Sequence, residues 1–506
     1  MIETEKNTTE AGQIPASMIE KAQENTRKSS KANLNRMALT SGFFYILAQL
    51  MVRGLTFVVT PIYTRMLSTA QYGEIRVFES WLLIAYPTMS LCLWKSADVA
   101  KYDYKDKYNA YISSVHTLSY IAIALCFGIC LIFKQPVQAF CSMDDLMFYI
   151  CFAYVFTYTS MLYLQRRDKQ MLRYKFSTAA TLLTIVPGTF LSIYLIYRGR
   201  VQGLYDSLVH RRIIGYYMPQ ILGGAIIAVV LLAQGRKLFD KGYWKYGLAY
   251  SLPLIPEALS IQIMNQSDKI MIQHLVGKAE TGIFALATTV SFIIWILEDS
   301  VWNAWIPWLY EKISRDETRD IIKPWTAVMH AFGIMSWILV ILAPEEIAIL
   351  GPKAYRAAMF LIAPMVTGTL FRFYSYSYSA IQNYYKKTQY VAAGTIGTMI
   401  LNVILNYVCI INFGYMAAAY TTAFSYIVLL IVQGILEYKI TGRVIVPLRK
   451  TLMIAVFYGV VNIASMELFY LPWFIRYLVL ILVTGGAFFI MRPQMAGVLK
   501  TFRKKK

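Results

Sequence analysis

Charge is rare in the long apolar stretches of this chain, and the few residues that break the rule mark where chemistry is expected. Arg53 stands in a polar stripe with Tyr45, Gln49, Thr56 and Thr60, spaced by three or four residues, so one face of an otherwise apolar helix is polar. Pro364, Gly368, Arg372, Ser375 and Ser379 repeat the device further along. Glu257 lies in the middle of one apolar stretch, while Glu298, Asp299 and Asn303 lie in the inner half of the next, with Trp295 on the face of Glu298. Lys95 falls near the end of another stretch. An ionised side chain near a bilayer centre costs roughly 2.5 to 3.5 kcal/mol on insertion scales, so such residues normally face a cavity or a partner. Guanidinium suits phosphate, which its fork of donors binds bidentately. The carboxylates can accept hydroxyls, pair with the arginines or hold a coupling cation. The competing reading makes Arg53 and Arg372 structural charges paired with these acids, or snorkelling ones.

The elements that must position these residues are helices in lipid. Hydrophobic residues make up 57% of the 506 and charged residues only 15%, which leaves too little polar surface to coat a soluble globule. Mean hydropathy is +0.48. The apolar runs are long and continuous rather than alternating, so each satisfies its own backbone as a helix and the chain is expected to be an all-α polytopic membrane protein. Fourteen spans are expected, at 38–63, 78–98, 111–133, 145–165, 175–197, 213–233 and 247–269, then at 282–308, 323–343, 355–379, 389–411, 415–436, 448–468 and 471–491.

An even number of spans puts both termini on one side, and the basic residues say which. Arg27, Lys28, Lys31 and Arg36 precede the first span, and the chain ends Lys504, Lys505, Lys506. Alternate loops continue the bias with Lys101, Lys105 and Lys107, with Arg166, Arg167, Lys169 and Arg173, and with Arg236, Lys237, Lys241 and Lys245. Most of the 49 basic residues fall on this side, so both termini are expected in the cytoplasm of a multi-pass cell (plasma or inner) membrane protein. One loop resists: Arg198, Arg200, Arg211 and Arg212 lie between the fifth and sixth spans, on the expected outer face.

A net charge of +21 then reflects the positive-inside bias and attraction to anionic membrane lipids, and no nucleic-acid partner is expected. The polar first 37 residues lack the apolar core of a signal peptide and read as a disordered cytoplasmic tail. The six cysteines lie in or beside spans as small core residues, with no disulfide or metal site expected, and the four histidines read as packing residues. There is no phosphate-binding G-x-x-x-x-G-K-[ST] loop and no outer loop long enough for a catalytic domain. The chain is therefore not expected to be an enzyme, and no catalytic residue or cofactor is assigned. Work done between helices on something entering from either side is a transporter's arrangement.

An internal repeat supports this. Ser68 to Gly73 follows the first span as Gly277 to Gly282 follows the seventh, 209 residues later. Gly199, Val201, Gly203 and Tyr205 align with Gly414, Met416, Ala418 and Tyr420 at an offset of 215. Two parallel six-helix halves with two further helices fit both offsets, since six spans preserve orientation.

Several motifs carry a family likeness: Ser251-Leu252-Pro253, Asn265 and Asp268 with Lys269, Gly277 to Gly282, Ala343-Pro344-Glu345-Glu346 with Tyr355 following, Lys386-Lys387-Thr388, and Asn402 and Asn406 ahead of Gly414. The N-terminal counterpart is PIYTRMLSTAQYGEIRVFES, from residue 61. In order and spacing the chain resembles, from about 38 to 490, the polysaccharide biosynthesis (O-antigen and capsule flippase) family of the multidrug, oligosaccharidyl-lipid and polysaccharide exporter superfamily. The resemblance implies two pseudo-symmetric six-helix bundles, at 38–233 and 247–436, joined by a cytoplasmic linker at 234–246, with two additional helices at 437–492 and a basic tail at 493–506. It implies that the first, second, seventh and eighth spans line a central cavity, where Gln49, Arg53, Lys95, Glu257, Trp295, Glu298, Asp299 and Asn303, with Arg372, would contact substrate. Asp268 is expected to be structural. The activity implied is the flipping of a polyprenyl-pyrophosphate-linked oligosaccharide to the outer leaflet for surface polysaccharide assembly, by alternating access, with polysaccharide assembly proteins as further partners and a proton or sodium ion as the coupling ion. A cation-coupled multidrug exporter, a lipid II flippase, a membrane glycan polymerase and a scaffold are the rival readings.

Overall fold

The computed structural model describes residues 54–486, and within them the chain is helical throughout. Gln49 and Arg53, the tail at 1–37 and the basic tail at 493–506 lie outside the described residues. The helices are α1 (54–66), α2 (Thr69–Met89), α3 (Ala97–Tyr104), α4 (Tyr108–Ile132), α5 (Lys134–Cys141), α6 (Asp145–Gln170), α7 (Tyr174–Val201), α8 (Leu208–Gly235) and α9 (Lys241–Ser251). They continue as α10 (Ile255–Leu275), α11 (Lys278–Ser314), α12 (Arg319–Ile341), α13 (Ala343–Leu350), α14 (Met359–Tyr384), α15 (Thr388–Phe413), α16 (Ala417–Thr441), α17 (Leu448–Ala464) and α18 (Trp473–Gly486).

Among the described residues, ten helical stretches are long and apolar enough to cross a membrane. The four expected spans outside that set have physical reasons to be there. The first and the last run out of the described residues. The second and the seventh are polar as well as apolar: α2 carries Glu74, Arg76 and Glu79, and α10 carries Glu257, Asp268 and Lys269.

Those same two spans are also shaped differently from the sequence expectation. The second was expected to run unbroken over 78–98, but α2 stops at Met89, Leu91 and Cys92 take left-handed backbone, and a short 3-10 turn covers Leu93–Ser96. Lys95 sits on that turn rather than on the helix, its Nζ lying 5.8 Å from the Trp94 ring centroid. The seventh was expected over 247–269, but it breaks at a 3-10 turn, Leu252–Leu254, between α9 and α10. Pro253 and Pro256 explain the break, because neither offers an N–H to a continuing helix and each crowds the preceding turn. Glu257 consequently stands in the first turn of α10, not in the middle of a span.

Packing follows chain order. In the first part α8 lies against α4, α6 and α7, and α2 against α6 and α8; in the second, α14 packs on α11, α12 and α16, and α15 on α10 and α16. Helix α17 covers α12 and α14. The two parts meet where α2 lies on α10 and α11.

This joint is built from the repeat seen in the sequence. Ser68 caps α2 with a reciprocal pair of hydrogen bonds to Gln71, and Gly277 occupies the matching cap position of α11, 209 residues on. Gly73 of α2 faces the backbone of Lys278 and Gly282, while Gly282 faces the backbone of Thr69 and Gly73. The contacts are reciprocal under the same offset, so the two repeat-related turns cross at their glycines. Around the crossing, Glu74 pairs with Lys278 at 3.0 Å, Thr64 Oγ1 donates to the Leu350 carbonyl at 2.5 Å, and Tyr72 meets Tyr355 edge to face. The second offset needs correcting: Gly199 lies inside α7, and it is Gly203 (φ +72°) that takes the left-handed turn position matching Gly414 (φ +79°).

The short helix α13 ties the last described helix to this end. Arg476 of α18 pairs with Glu345 through two contacts, the longer at 3.3 Å, while Glu346 Oε2 is buried without a hydrogen-bond partner. Burial, with Glu345 beside it, pushes the Glu346 carboxyl up to about 8. A raised acid is stabilising in its protonated form, so this contribution is fully present below the ordinary value near 4.5 and is lost as pH rises through about 8. Glu346→Gln is therefore expected to raise the melting temperature at pH 7, where keeping the acid protonated costs roughly 3 kcal/mol, and to flatten its fall between pH 5 and 8. Parallel melting curves for the two proteins across that range would contradict the assignment.

Candidate functional site

Three of the expected cavity residues come together between α11 and α14. Arg372 forms an ion pair with Glu298, which is 3% exposed, and its guanidinium lies 3.8 Å from the Trp295 ring centroid and 5.8 Å from that of Tyr376. Arginine over an indole face combines charge and stacking, so the side chain is held on both sides. Trp302, two turns along α11 from Trp295, packs instead among Trp325, Phe373 and Tyr376. Asn303 is exposed on α11, Glu257 is half-buried on α10 and Lys95 is half-buried on its turn. Among the described residues, none of these three contributes an ion pair or hydrogen bond to the Arg372 cluster. The side chain of Asp299, like Gln49 and Arg53, lies outside the described set.

A second polar constellation joins α10 to α15 and α16. Asp268 accepts from Asn406 Nδ2 at 2.5 Å and from Thr422 Oγ1 at 3.1 Å, and Asn402 Nδ2 donates to Thr422 at 3.1 Å and Ser425 at 3.3 Å. Asn402 and Asn406 are fully buried. Buried polar groups held this way fix the relative position of three helices, since sliding any one would strand donors and acceptors in an apolar interior.

The third constellation was not among the residues singled out from the sequence. A cavity of about 340 Å³ in the first part of the chain is walled by α1, α2, α6, α7 and α8. Arg76 and Glu79 of α2 and Arg212 of α8 meet in it: Arg76 Nη1 donates to Glu79 Oε2 at 2.9 Å and Arg212 Nη2 to Glu79 Oε1 at 2.6 Å. Arg76 Nη2 donates to the Tyr72 hydroxyl at 2.5 Å. The Arg212 guanidinium lies 4.4, 5.3 and 5.9 Å from the ring centroids of Tyr216, Tyr63 and Tyr217. One signal in the sequence pointed here, namely the basic cluster that offended the charge bias. In the structure Arg198 is exposed, Arg200 donates to the Arg65 carbonyl at 3.0 Å, Arg211 donates to Ser207 at 3.0 Å, and Arg212 turns inward.

The sequence pattern of the family described as polysaccharide biosynthesis protein matches residues 38–313, more than half of the chain. The chain belongs to this family. It is similar to an uncharacterized membrane protein of Haemophilus influenzae, 21% identical over 325 residues that make up 62% of this chain and 73% of the relative. Its fold resembles that of two solved membrane proteins. A structure of the lipid II flippase MurJ in an inward closed conformation superposes with a TM-score of 0.62 at 14% identity, covering 90% of this chain and all of that one. An inward-facing multidrug resistance MATE family transporter of the MOP superfamily superposes with a TM-score of 0.59 at 13% identity, covering 80% and 99%. The protein is thus a multi-pass membrane protein of the polysaccharide biosynthesis family. The residues that carried the resemblance lie at its helix joints: Gly277 and Gly282 at the crossing of α2 and α11, Asn265 accepting from the Tyr426 hydroxyl at 3.3 Å, Asn402 and Asn406 in the network around Asp268, and Glu345 at the anchor of α18.

Proposed function

We propose that this family member is a flippase for a polyprenyl-pyrophosphate-linked oligosaccharide, moving the glycan from the cytoplasmic to the outer leaflet for surface polysaccharide assembly. It is a transporter rather than an enzyme, with fourteen spans arranged as six, six and two, and with both termini cytoplasmic in the cell (plasma or inner) membrane. What carries the reading is the burial of ionised groups between helices of a family tied to polysaccharide biosynthesis, Arg372 against Glu298 and Trp295 above all. Polar cargo needs such groups, whereas the polyprenyl tail needs only lipid.

Alternating access accounts for the shape of the joint. One end of the molecule is knitted across its two parts at Gly73 with Gly282, Glu74 with Lys278 and Thr64 with Leu350. With the termini cytoplasmic, that is the outer end, and rocking about it would expose the cavity residues Gln49, Arg53, Lys95, Glu257, Asp299 and Asn303 in turn to each side. A proton or sodium ion would supply the driving force, with membrane lipids and polysaccharide assembly proteins as partners.

Deleting the gene and extracting lipid-linked oligosaccharides tests the reading. Accumulation on the inner leaflet with unchanged drug sensitivity is expected, and Arg53→Ala at normal protein level is expected to fail to restore export. A deletion strain with normal surface glycan but raised drug sensitivity would point to a drug exporter instead.

A further inference from the structure

We infer that the tyrosine-lined cavity of the first part binds an oxyanion attached to a sugar ring. Three observations lead there. Arg76 and Arg212 share a single carboxylate, Glu79, whose two oxygens are each taken by one arginine, so the cluster keeps one positive charge in excess. Arg212 lines the cavity and is 6% exposed, and one of its terminal nitrogens, Nη1, is buried beside the tyrosines without a hydrogen bond. A buried guanidinium whose donors are incompletely matched is costly, and an oxyanion in the cavity that drew Arg212 away from Glu79 would give it a further partner. Lys269, whose Nζ donates to Gln266 at 2.6 Å while Gln266 accepts from Ser80 of α2 at 3.1 Å, adds positive charge beside the same helix.

The rest of the cavity suits a sugar. Seven of its lining residues are tyrosines, which offer ring faces to C–H surfaces and hydroxyls to hydroxyls. Its volume of about 340 Å³ is at the small end of ligand pockets, room for one ring with its acid group and too little for a polyprenyl chain. The stacking of Arg212 on Tyr216 and Tyr63 holds the guanidinium in place before a ligand arrives, which lowers the ordering cost of binding. Glu79 would then act as the resident anion that an arriving carboxylate or phosphate ester competes with for Arg212. The identity of the ligand as a glycan rests on the transport reading above; the oxyanion site rests on the geometry.

The test uses the full-length protein in lipid nanodiscs, titrated with glucuronate, glucose 1-phosphate and glucose, and followed by tyrosine and tryptophan fluorescence and by melting temperature. At least one of the two anions is expected to bind saturably, with glucose at least about tenfold weaker. Preference for glucuronate assigns the site to acidic sugars of the glycan, and preference for glucose 1-phosphate assigns it to the phosphoryl end. Arg212→Gln is expected to weaken binding by about 10- to 100-fold, and Arg212→Lys, which keeps charge but loses the fork, by less. Glu79→Gln removes the competing carboxylate and is expected to tighten it. A purely structural trio predicts lower melting temperatures for both Arg212→Gln and Glu79→Gln with no change of opposite sign in affinity. Absence of saturable anion binding in both the native protein and Glu79→Gln, or unchanged affinity in Arg212→Gln, overturns the inference. Failure of the transport reading would appear in the deletion strain instead, with anion binding intact.

Discussion

Glu298→Ala is expected to destabilise the purified protein by on the order of 3–5 kcal/mol and to abolish glycan export. The carboxylate is 3% exposed and pairs with Arg372, so its removal takes a counter-charge away from a guanidinium held between helices. Arg372→Ala should do comparable damage and in addition uncover the face of Trp295. The pair's own contribution is separable. If the two side chains act together, the Glu298→Ala, Arg372→Ala double variant should be more stable than the sum of the single losses predicts, because the interaction between them is then removed only once. Melting curves in detergent for the four proteins of this cycle provide the measurement, and export in a deletion strain provides the functional arm. Single variants that melt within a degree of the native protein would mean that water reaches the pair freely and that it is no buried ion pair at all.

Gly282→Val is expected to be the most damaging substitution at the joint, and its effect is on conformation rather than on chemistry. A Cβ at this position would run into the Thr69 carbonyl and approach the Gly73 nitrogen, and backbone atoms of two helices cannot rotate aside. Helices α2 and α11 must therefore separate, which loosens the end held by Glu74 with Lys278 and Thr64 with Leu350. Gly73→Val should behave alike, since Gly73 faces Lys278 and Gly282 across the same crossing. By contrast Gly397→Val, where nothing lies within 4 Å, serves as the control. In a background with the native cysteines replaced, Glu74→Cys with Lys278→Cys should be joined by a short bifunctional thiol reagent that spans the distance of the Glu–Lys pair, and adding Gly282→Val should reduce the yield several-fold while export falls to background. Undiminished cross-linking together with normal export would show that the crossing is not needed for transport.

Local features of the sequence were readable because their causes are local. A run of apolar residues becomes a helix wherever it lies, whereas the second span, expected from residue 78, begins earlier at Thr69 because Ser68 and Gln71 form a capping box there. The 209-residue repeat was equally visible, because the two turns must meet the same packing demand. What misled was continuity. Apolar composition registers neither the break that Pro253 and Pro256 impose nor the left-handed residues Leu91 and Cys92, so Glu257 was placed in the middle of a span and Lys95 on a continuous helix. Nor did the 215-residue offset survive, because a glycine inside a helix and a glycine in a left-handed turn look the same in sequence.

Membrane residence, the helical class, the repeat and the family likeness were thus legible in the sequence, since each follows from composition, periodicity or motif order along the chain. The partners of the buried charges were decided only by tertiary structure. Arg372 and Glu298 are 74 residues apart and Arg212 and Glu79 are 133 apart, distances at which pairing depends on how helices pack and not on neighbouring residues. For the same reason Arg212 read as a misplaced loop charge until the packing of α8 against α2 turned it inward, where the cost of burying a cation is offset by a carboxylate and three aromatic faces.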